Sequence, residues 1–333
     1  MILRFVSFLC LAFPSLHAGE IQTHQNPGTG WDIYTLRQEG MVVQVAPFAG
    51  ANAFSVQKNG VAYFRVPEPL SKLPGVGYGN PVLYPMPNRV KGAEFTFEGT
   101  TYQFPKNRRG NFIHGLVHSE PFEVTGKQVG QDYVSLTCQL RFEPGKRCYE
   151  LFPFPHDFNI TIRVTESSVR WTYEVDNSRG EKNLPFGVGF HPYILYHGER
   201  SKAHLQVPAT HLMESEKELP SGRLLPLDGH PLDARQPVSL EGYHADHVFY
   251  GMTPGKPAKL EFLETGRAIT FHASEDFTHM VVWTPQRPFL GIENQTCSTD
   301  AHNLHSHGEN QSAHLQVCPP GKKLSGTVVY VFE

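Results

Sequence analysis

Two ionisable side chains stand in apolar, strand-like segments of the sequence, where burial makes each of them costly. His191 lies in LPFGVGFHPYI (residues 184–194), and Glu293 follows the apolar run FLGI (residues 289–292). An unpaired buried carboxylate costs several kcal/mol or takes up a proton. A carboxylate and an imidazole are the usual general base and general acid, so these positions are candidates for proton-transfer chemistry. A purely structural role for His191 stays open, because one backbone acceptor satisfies a neutral imidazole.

Two further segments present polar side chains beside apolar runs. YPMPNRV (residues 84–90) stiffens a turn with prolines and presents Asn88 and Arg89, whereas NFIHG (residues 111–115) ends an apolar run on His114. An arginine after a proline-rich loop is most often a solvated surface residue, so a structural interpretation applies here too.

The elements that must position these residues are predicted to be strands. Apolar and polar residues alternate without a break over residues 158–164 and 169–176, and every second residue from 134 to 142 is apolar. This period of two indicates half-buried antiparallel strands. Denser apolar runs at residues 280–283 and 328–332 are typical of strands covered on both faces.

Turns are frequent and helices are rare in this pattern. The 333 residues include 30 glycines and 27 prolines spread along the chain, which favours many turns. Residues 213–219 are the one segment predicted to form one or two helical turns, and residues 67–87 are predicted to be a long surface loop. We therefore predict an all-β protein, a large twisted antiparallel β-sandwich with very little helix. No repeat or charged run divides the chain, so one domain over residues 22–333 is expected.

Composition narrows the classes of function. Hydrophobic residues make up 39% and charged residues 18% of the chain, as in a globular protein, and the formal net charge is −3. Nucleic acid requires a concentrated cationic surface, and the sequence contains no basic block. Nucleic acid is therefore not an expected partner.

The first eighteen residues, MILRFVSFLCLAFPSLHA, have the pattern of a secretory signal peptide. Arg4 precedes a short apolar core, and Ala18 ends an imperfect cleavage site. The core is too short to span a bilayer, and no later segment is long enough. We predict a secreted or periplasmic protein; an uncleaved interfacial anchor is the alternative.

The cysteines and histidines leave two questions open. Removing the signal leaves Cys138, Cys148, Cys297 and Cys318, which an oxidising compartment allows to form up to two disulfides. A simple hairpin turn at residues 143–146 would place Cys138 opposite Leu151, so a bridge to Cys148 needs a shifted register.

The histidine-rich stretch fits no tight ligand spacing, and no metal site is expected among His302, His305, His307 and His314.

Taken in order, PNR (87–89), NFIHG (111–115), FHPY (190–193) and GIE (291–293) resemble the aldose 1-epimerase (galactose mutarotase) family. Four further segments also resemble that family: GAEFTFEG (92–99), YQFP (102–105), VWTP (282–285) and DAHN (300–303). The resemblance runs from about residue 40 to the C-terminus. It implies a β-supersandwich with a sugar-binding groove across one sheet, and a reaction that needs neither cofactor nor metal.

The resemblance also implies roles for individual residues. Glu293 corresponds to the general base, His191 to the general acid, and His114 to a residue that assists at the ring oxygen. With both groups charged and close together, each would stabilise the other's charged form. A free aldohexose would then open and close its ring, which exchanges its α and β anomers.

Three other residues correspond to substrate contacts or their support. Arg89 would hydrogen-bond sugar hydroxyls, with Asn88 as a loop support beside it. Asp246, in ADHVF (245–249), corresponds to the family's sugar-binding aspartate. The chain departs from the family at Asn294, where proline is frequent, and this departure bears on the details of substrate contact.

Other functions remain open at this level. One is a secreted carbohydrate-binding β-sandwich without catalysis. A second is a hydrolase or lyase, although a hydrolase usually needs two carboxylates and Asp246 is the second available. A third is an epimerase for a phosphorylated or modified sugar, with Lys106, Arg108 and Arg109 as candidate phosphate ligands. The sequence does not fix the sugar, or whether the protein is a monomer or a dimer.

Overall fold

The computed structural model describes residues 19–333, and the predicted signal peptide lies outside them. Strands dominate the described residues and helices are short, which confirms the predicted all-β class. The strands are β1 Glu20–Gln25, β2 Asp32–Gln38, β3 Met41–Ala46, β4 Asn52–Lys58, β5 Val61–Ala62, β6 Val82–Leu83, β7 Arg89–Val90, β8 Glu94–Phe97, β9 Thr100–Gln103, β10 Phe112–Ile113, β11 Glu123–Val129, β12 Val134–Phe142, β13 His156–Val164, β14 Ser168–Asp176, β15 Leu184–Phe186, β16 Gly189–Phe190, β17 Ile194–Leu195, β18 Ala203–Gln206, β19 His211–Glu216, β20 Leu219–Pro226, β21 Val238–Ser239, β22 Asp246–Tyr250, β23 Ala258–Phe262, β24 Arg267–Ala273, β25 His279–Trp283, β26 Phe289–Gln295, β27 Gln316–Cys318 and β28 Lys323–Phe332. The helices are α1 Arg147–Leu151, α2 Ala301–Ser306 and α3 Asn310–Ala313.

Three larger antiparallel sheets carry most of these strands. A five-stranded sheet runs in the order β1-β2-β3-β4-β5, and a nine-stranded sheet runs β11-β12-β13-β14-β28-β24-β23-β18-β21. The eight-stranded sheet runs β20-β19-β22-β25-β26-β16-β6, with β17 also paired to β26. The period of two is visible in β13, where buried and half-buried residues alternate along the whole strand.

Aromatic side chains pack the nine-stranded sheet against the eight-stranded sheet. Trp171 on β14 lies 6.3 Å from Phe190 on β16, measured between ring centroids. Phe158 on β13 stacks on Tyr84, directly after β6, with centroids 3.9 Å apart and an interplanar angle of 6°. All four rings are fully buried. This two-layer packing is the β-sandwich that the sequence predicts.

Two local predictions were wrong. Residues 213–219 are not helical, because His211–Glu216 pairs with β20 on one side and β22 on the other. The predicted surface loop at residues 67–87 is exposed only in its first half. From Asn80 onward the segment enters the core, where Val82 and Leu83 form β6 and are fully buried.

The cysteine geometry also differs from the simple hairpin. Cys138 pairs with Ile160 on β13 instead of Leu151, because α1 lengthens the connection between the two strands. Within residues 19–333 every cysteine is free and buried. Burial raises the pKa of the Cys138 and Cys148 thiols to about 12, so both are poor nucleophiles at neutral pH.

No helix in the described part of the chain is long and apolar enough to cross a bilayer.

The stacked pair between the sheets gives a test of the packing. Replacing Phe158 with alanine removes a fully buried ring and is expected to lower the free energy of unfolding by about 3–5 kcal/mol. Phe48→Ala is the matched control, since that ring is 48% exposed, and it should cost about 1 kcal/mol or less. Urea denaturation of both variants measures the difference, and equal losses would contradict the described packing.

Candidate functional site

A groove crosses one face of the eight-stranded sheet, and strand register decides which side chains reach it. Asp246 on β22 pairs with Trp283 on β25, and Val281 two residues earlier on β25 pairs with Glu293 on β26. Paired residues, and residues two apart on one strand, share a face of a sheet. These four side chains therefore line one groove, which has a volume of about 310 Å³.

Backbone carbonyls of residues 81–89, here called the connector, hold the other site residues against this sheet. The carbonyl of Pro81 accepts the His191 N–H at 3.1 Å, and that of Asn88 accepts the His114 N–H at 2.8 Å. The carbonyl of Arg89 accepts the Asp300 N–H at 2.8 Å, and the Asp300 carboxylate in turn accepts the N–H of Lys91. The connector thus fixes three separate stretches of chain around the groove.

The connector also imposes a close approach at Gly115. The amide after it, on Leu116, donates to the Tyr84 carbonyl at 2.7 Å, and a Cβ on Gly115 would lie 2.3 Å from the same oxygen. Gly115 has a φ of 72°, a conformation that glycine adopts at low cost. Only glycine fits here, and this allows His114 to lie beside the groove.

His191 and Glu293 are in contact on the floor of the groove. His191 Nε2 lies 3.2 Å from Glu293 Oε1, and the two residues are only 5% and 2% exposed. The imidazole stacks on Tyr193, with centroids 4.6 Å apart and an interplanar angle of 7°, which fixes its orientation. Residues that the sequence separates by about a hundred positions thus form one pair.

The charge state of this pair differs from the sequence-based expectation. Burial raises the pKa of Glu293 well above its ordinary value, and the nearby Asp246 carboxylate raises it further. Burial also lowers the pKa of His191 to about 4. Both shifts favour the uncharged pair, with one proton on the carboxyl group and a neutral imidazole, over the ion pair that was expected.

Gly291 leaves room above the pair. A Cβ at this position would lie 3.4 Å from Glu293 Oε1 and 3.6 Å from His191 Cε1. Any larger side chain would therefore fill the space directly over the two reactive groups.

His114 faces the pair from the side. Its ring centroid lies 5.4 Å from that of His191, at 79°. Burial, followed by the neighbouring His191, lowers the pKa of His114 well below its usual range, so its imidazole is neutral. Its φ of 73° is unusual for a residue with a side chain, and backbone strain of this kind concentrates at functional sites.

Arg89 is buried and lines the same groove. Its guanidinium donates to Asn88 Oδ1 at 3.0 Å and to Glu218 Oε2 at 2.7 Å. Asn88 accepts this hydrogen bond and also lines the groove itself. All six residues predicted for the site border this one groove: Asn88, Arg89, His114, His191, Asp246 and Glu293.

The sequence did not predict several groove residues. Tyr193 and Trp283 belong to segments already singled out, FHPY and VWTP, and their aromatic rings were the available signal. Arg108, named above only as a candidate phosphate ligand, lines the groove as well. No sequence pattern marks Glu218 as a groove residue, because its neighbours in the sequence are polar, as in any exposed turn.

Metal ligands do not cluster in the described part of the chain. Residues 19–333 contain no group of three or more histidine, cysteine, aspartate or glutamate side chains placed to hold an ion. His302, in the histidine-rich stretch, is buried and lies against Phe95, with ring centroids 4.2 Å apart.

Comparison with known proteins agrees with this fold. The chain is 20% identical to a galactose mutarotase-like protein from Clostridium acetobutylicum, with a TM-score of 0.85 over 95% of this chain and 99% of that one. For galactose 1-epimerase from Lactobacillus acidophilus the values are 16% identity and a TM-score of 0.76, over 95% and 98% of the two chains.

Two sequence relatives match over a smaller share of the chain. The uncharacterized protein YihR of Escherichia coli is 23% identical over 67% of this chain and 71% of its own length. The plasmid-encoded LacX protein of Lactococcus lactis is 22% identical over 78% and 85% of the two chains. The family model of aldose 1-epimerase matches residues 32–331, nearly all of the described chain. The chain therefore belongs to the aldose 1-epimerase family.

Proposed function

We propose that the protein interconverts the α and β anomers of a free aldohexose by general acid/base ring opening. The observation that carries the proposal is the buried contact between Glu293 and His191 on the floor of a groove open to solvent. The anomeric hydroxyl and the ring oxygen are bonded to the same carbon. A base and an acid in neighbouring positions therefore suit two oxygens that share one carbon.

In the proposed reaction Glu293 removes the proton of the anomeric hydroxyl and His191 protonates the ring oxygen. The C1–O5 bond breaks, the aldehyde group rotates about C1–C2, and the ring closes on its other face. The step converts a carboxylate and an imidazolium into a carboxylic acid and a neutral imidazole. The uncharged pair is also the form that burial favours at rest, so its proton first passes from Glu293 to His191 to give the productive form, and ring opening returns the pair to its favoured state.

The remaining groove residues are proposed to hold the sugar. Neutral His114 assists at the ring oxygen, while Arg89 and Asp246 bind hydroxyl groups as a donor and an acceptor. Asn88 keeps the guanidinium in place through the hydrogen bond already described. The aromatic ring of Trp283 provides an apolar surface for the sugar face.

The location of this reaction is a separate proposal. We propose that residues 1–18 are a signal peptide that exports the protein. A secreted or periplasmic protein would act on its sugar outside the cytoplasm.

Replacing Glu293 with glutamine tests the base. The variant keeps the size of the side chain and removes its proton acceptor, so anomer exchange should slow by about 10²–10⁴-fold. Polarimetry or NMR exchange spectroscopy on α-glucose and α-galactose measures the rate. His191→Asn should also lose most activity, with an unchanged thermal melting curve as the control for folding.

Near-full activity in Glu293→Gln would exclude this carboxylate as the base. A wild-type protein that binds these sugars but leaves their exchange rate unchanged would instead favour the carbohydrate-binding alternative. An unfolded His191→Asn variant would point to a structural role for that histidine.

The pH dependence provides a second test. The productive form has one proton on the pair, located on His191. Acidification adds a second proton and should reduce kcat/KM below about pH 4, the pKa of His191. Alkali removes the shared proton and should reduce kcat/KM above the raised pKa of Glu293. Carbon-13 NMR of the Glu293 carboxyl group gives a direct check, and a titration at the ordinary glutamate pKa would contradict the expected profile.

A further inference from the structure

The hairpin of β19 and β20 extends a carboxylate into the groove. Glu216 pairs with Leu219, so the turn consists of Lys217 and Glu218 alone. Both have positive φ values, 50° and 66°, which suit a tight hairpin turn but strain residues with side chains. The turn places Glu218 on the lining of the groove that contains the acid/base pair.

The carboxylate of Glu218 lies between two guanidinium groups. Its Oε2 is 2.7 Å from an Arg89 nitrogen and 3.7 Å from an Arg109 nitrogen. The Arg89 side chain is 9% exposed and that of Glu218 27%, whereas the Arg109 side chain is largely in solvent. A third arginine, Arg108, lines the same groove.

Without Glu218 this cluster would be a binding site for anions. Guanidinium groups bind carboxylates and phosphates through charge-assisted, often bidentate hydrogen bonds. Glu218 already occupies that position from within the chain. A negatively charged substituent on a sugar would have to displace the carboxylate or lie beside it, and like charges at short distance repel each other.

We propose that Glu218 is a specificity-determining residue that makes the groove select neutral sugars over anionic ones. The residue does this by neutralising Arg89 and Arg109 and by occupying the position on the Arg89 guanidinium that an anionic substituent would take. The inference rests on the proposed function for its choice of substrate, but the selectivity is a property of binding and does not require turnover.

Glu218→Gln is the direct test, because glutamine keeps the shape of the side chain and removes its charge. Glu214→Gln is the matched control, since Glu214 lies on the same hairpin but pairs with Arg223 instead of Arg89. Isothermal titration of the full chain with glucose, glucuronate and glucose 6-phosphate gives the affinities. The two anionic sugars distinguish a carboxylate from a phosphate.

In Glu218→Gln the affinity for each anionic sugar relative to glucose should rise about tenfold, the size of one charge-assisted hydrogen bond. The same ratio should be unchanged in Glu214→Gln. An unchanged ratio in Glu218→Gln overturns the proposal, as does a wild-type protein that binds either anionic sugar more tightly than glucose.

The same titrations separate this proposal from the proposed function. Wild-type protein that binds glucose without accelerating anomer exchange removes the catalytic proposal, and the affinity ratio still decides the role of Glu218. Wild-type and variant proteins that bind none of the three sugars overturn both.

Discussion

The site depends on the carbonyl groups of the connector more than on any single side chain. Prolines at positions 81, 85 and 87 have no N–H to donate, so this stretch does not continue as a regular strand, yet its carbonyls accept bonds from several distant segments. Two of those segments carry His191 and His114. A buried carbonyl without a hydrogen-bond partner is costly. The need to pair the carbonyls of the connector therefore holds these segments in place, in addition to their local contacts.

The second constraint is the burial of Glu293 in the middle of β26. All seven residues of this strand are buried, since β25 lies on one side and β16 and β17 on the other. A carboxylate there is tolerated because His191 and Gln295 contact its oxygens. The sheet thus keeps an ionisable group out of water, except where the groove admits a small molecule.

Much of this arrangement was predictable, and the failures have identifiable causes. The central strands were predictable because a strand buried on one face alternates apolar and polar residues along its sequence. Residues 213–219 contain methionine, glutamate, lysine and leucine, all good helix formers, but pairing with two neighbouring strands outweighed that propensity. The contact of Glu218 with Arg89 joins residues 129 positions apart and leaves no local pattern. The preference of the pair for its uncharged state was missed because its degree of burial is a property of the folded chain.

The shared proton between His191 and Glu293 has a consequence for the environment of the reaction. Ring opening and ring closure move protons within the pair and the sugar, and the total charge of this assembly is the same before and after each step. The surrounding dipoles, including the fixed donors of Arg89, then face no net charge that appears or disappears during turnover. The closely packed sheet therefore has to accommodate a change in the dipole of the pair but no change in its net charge, and fixed donors are suited to that task.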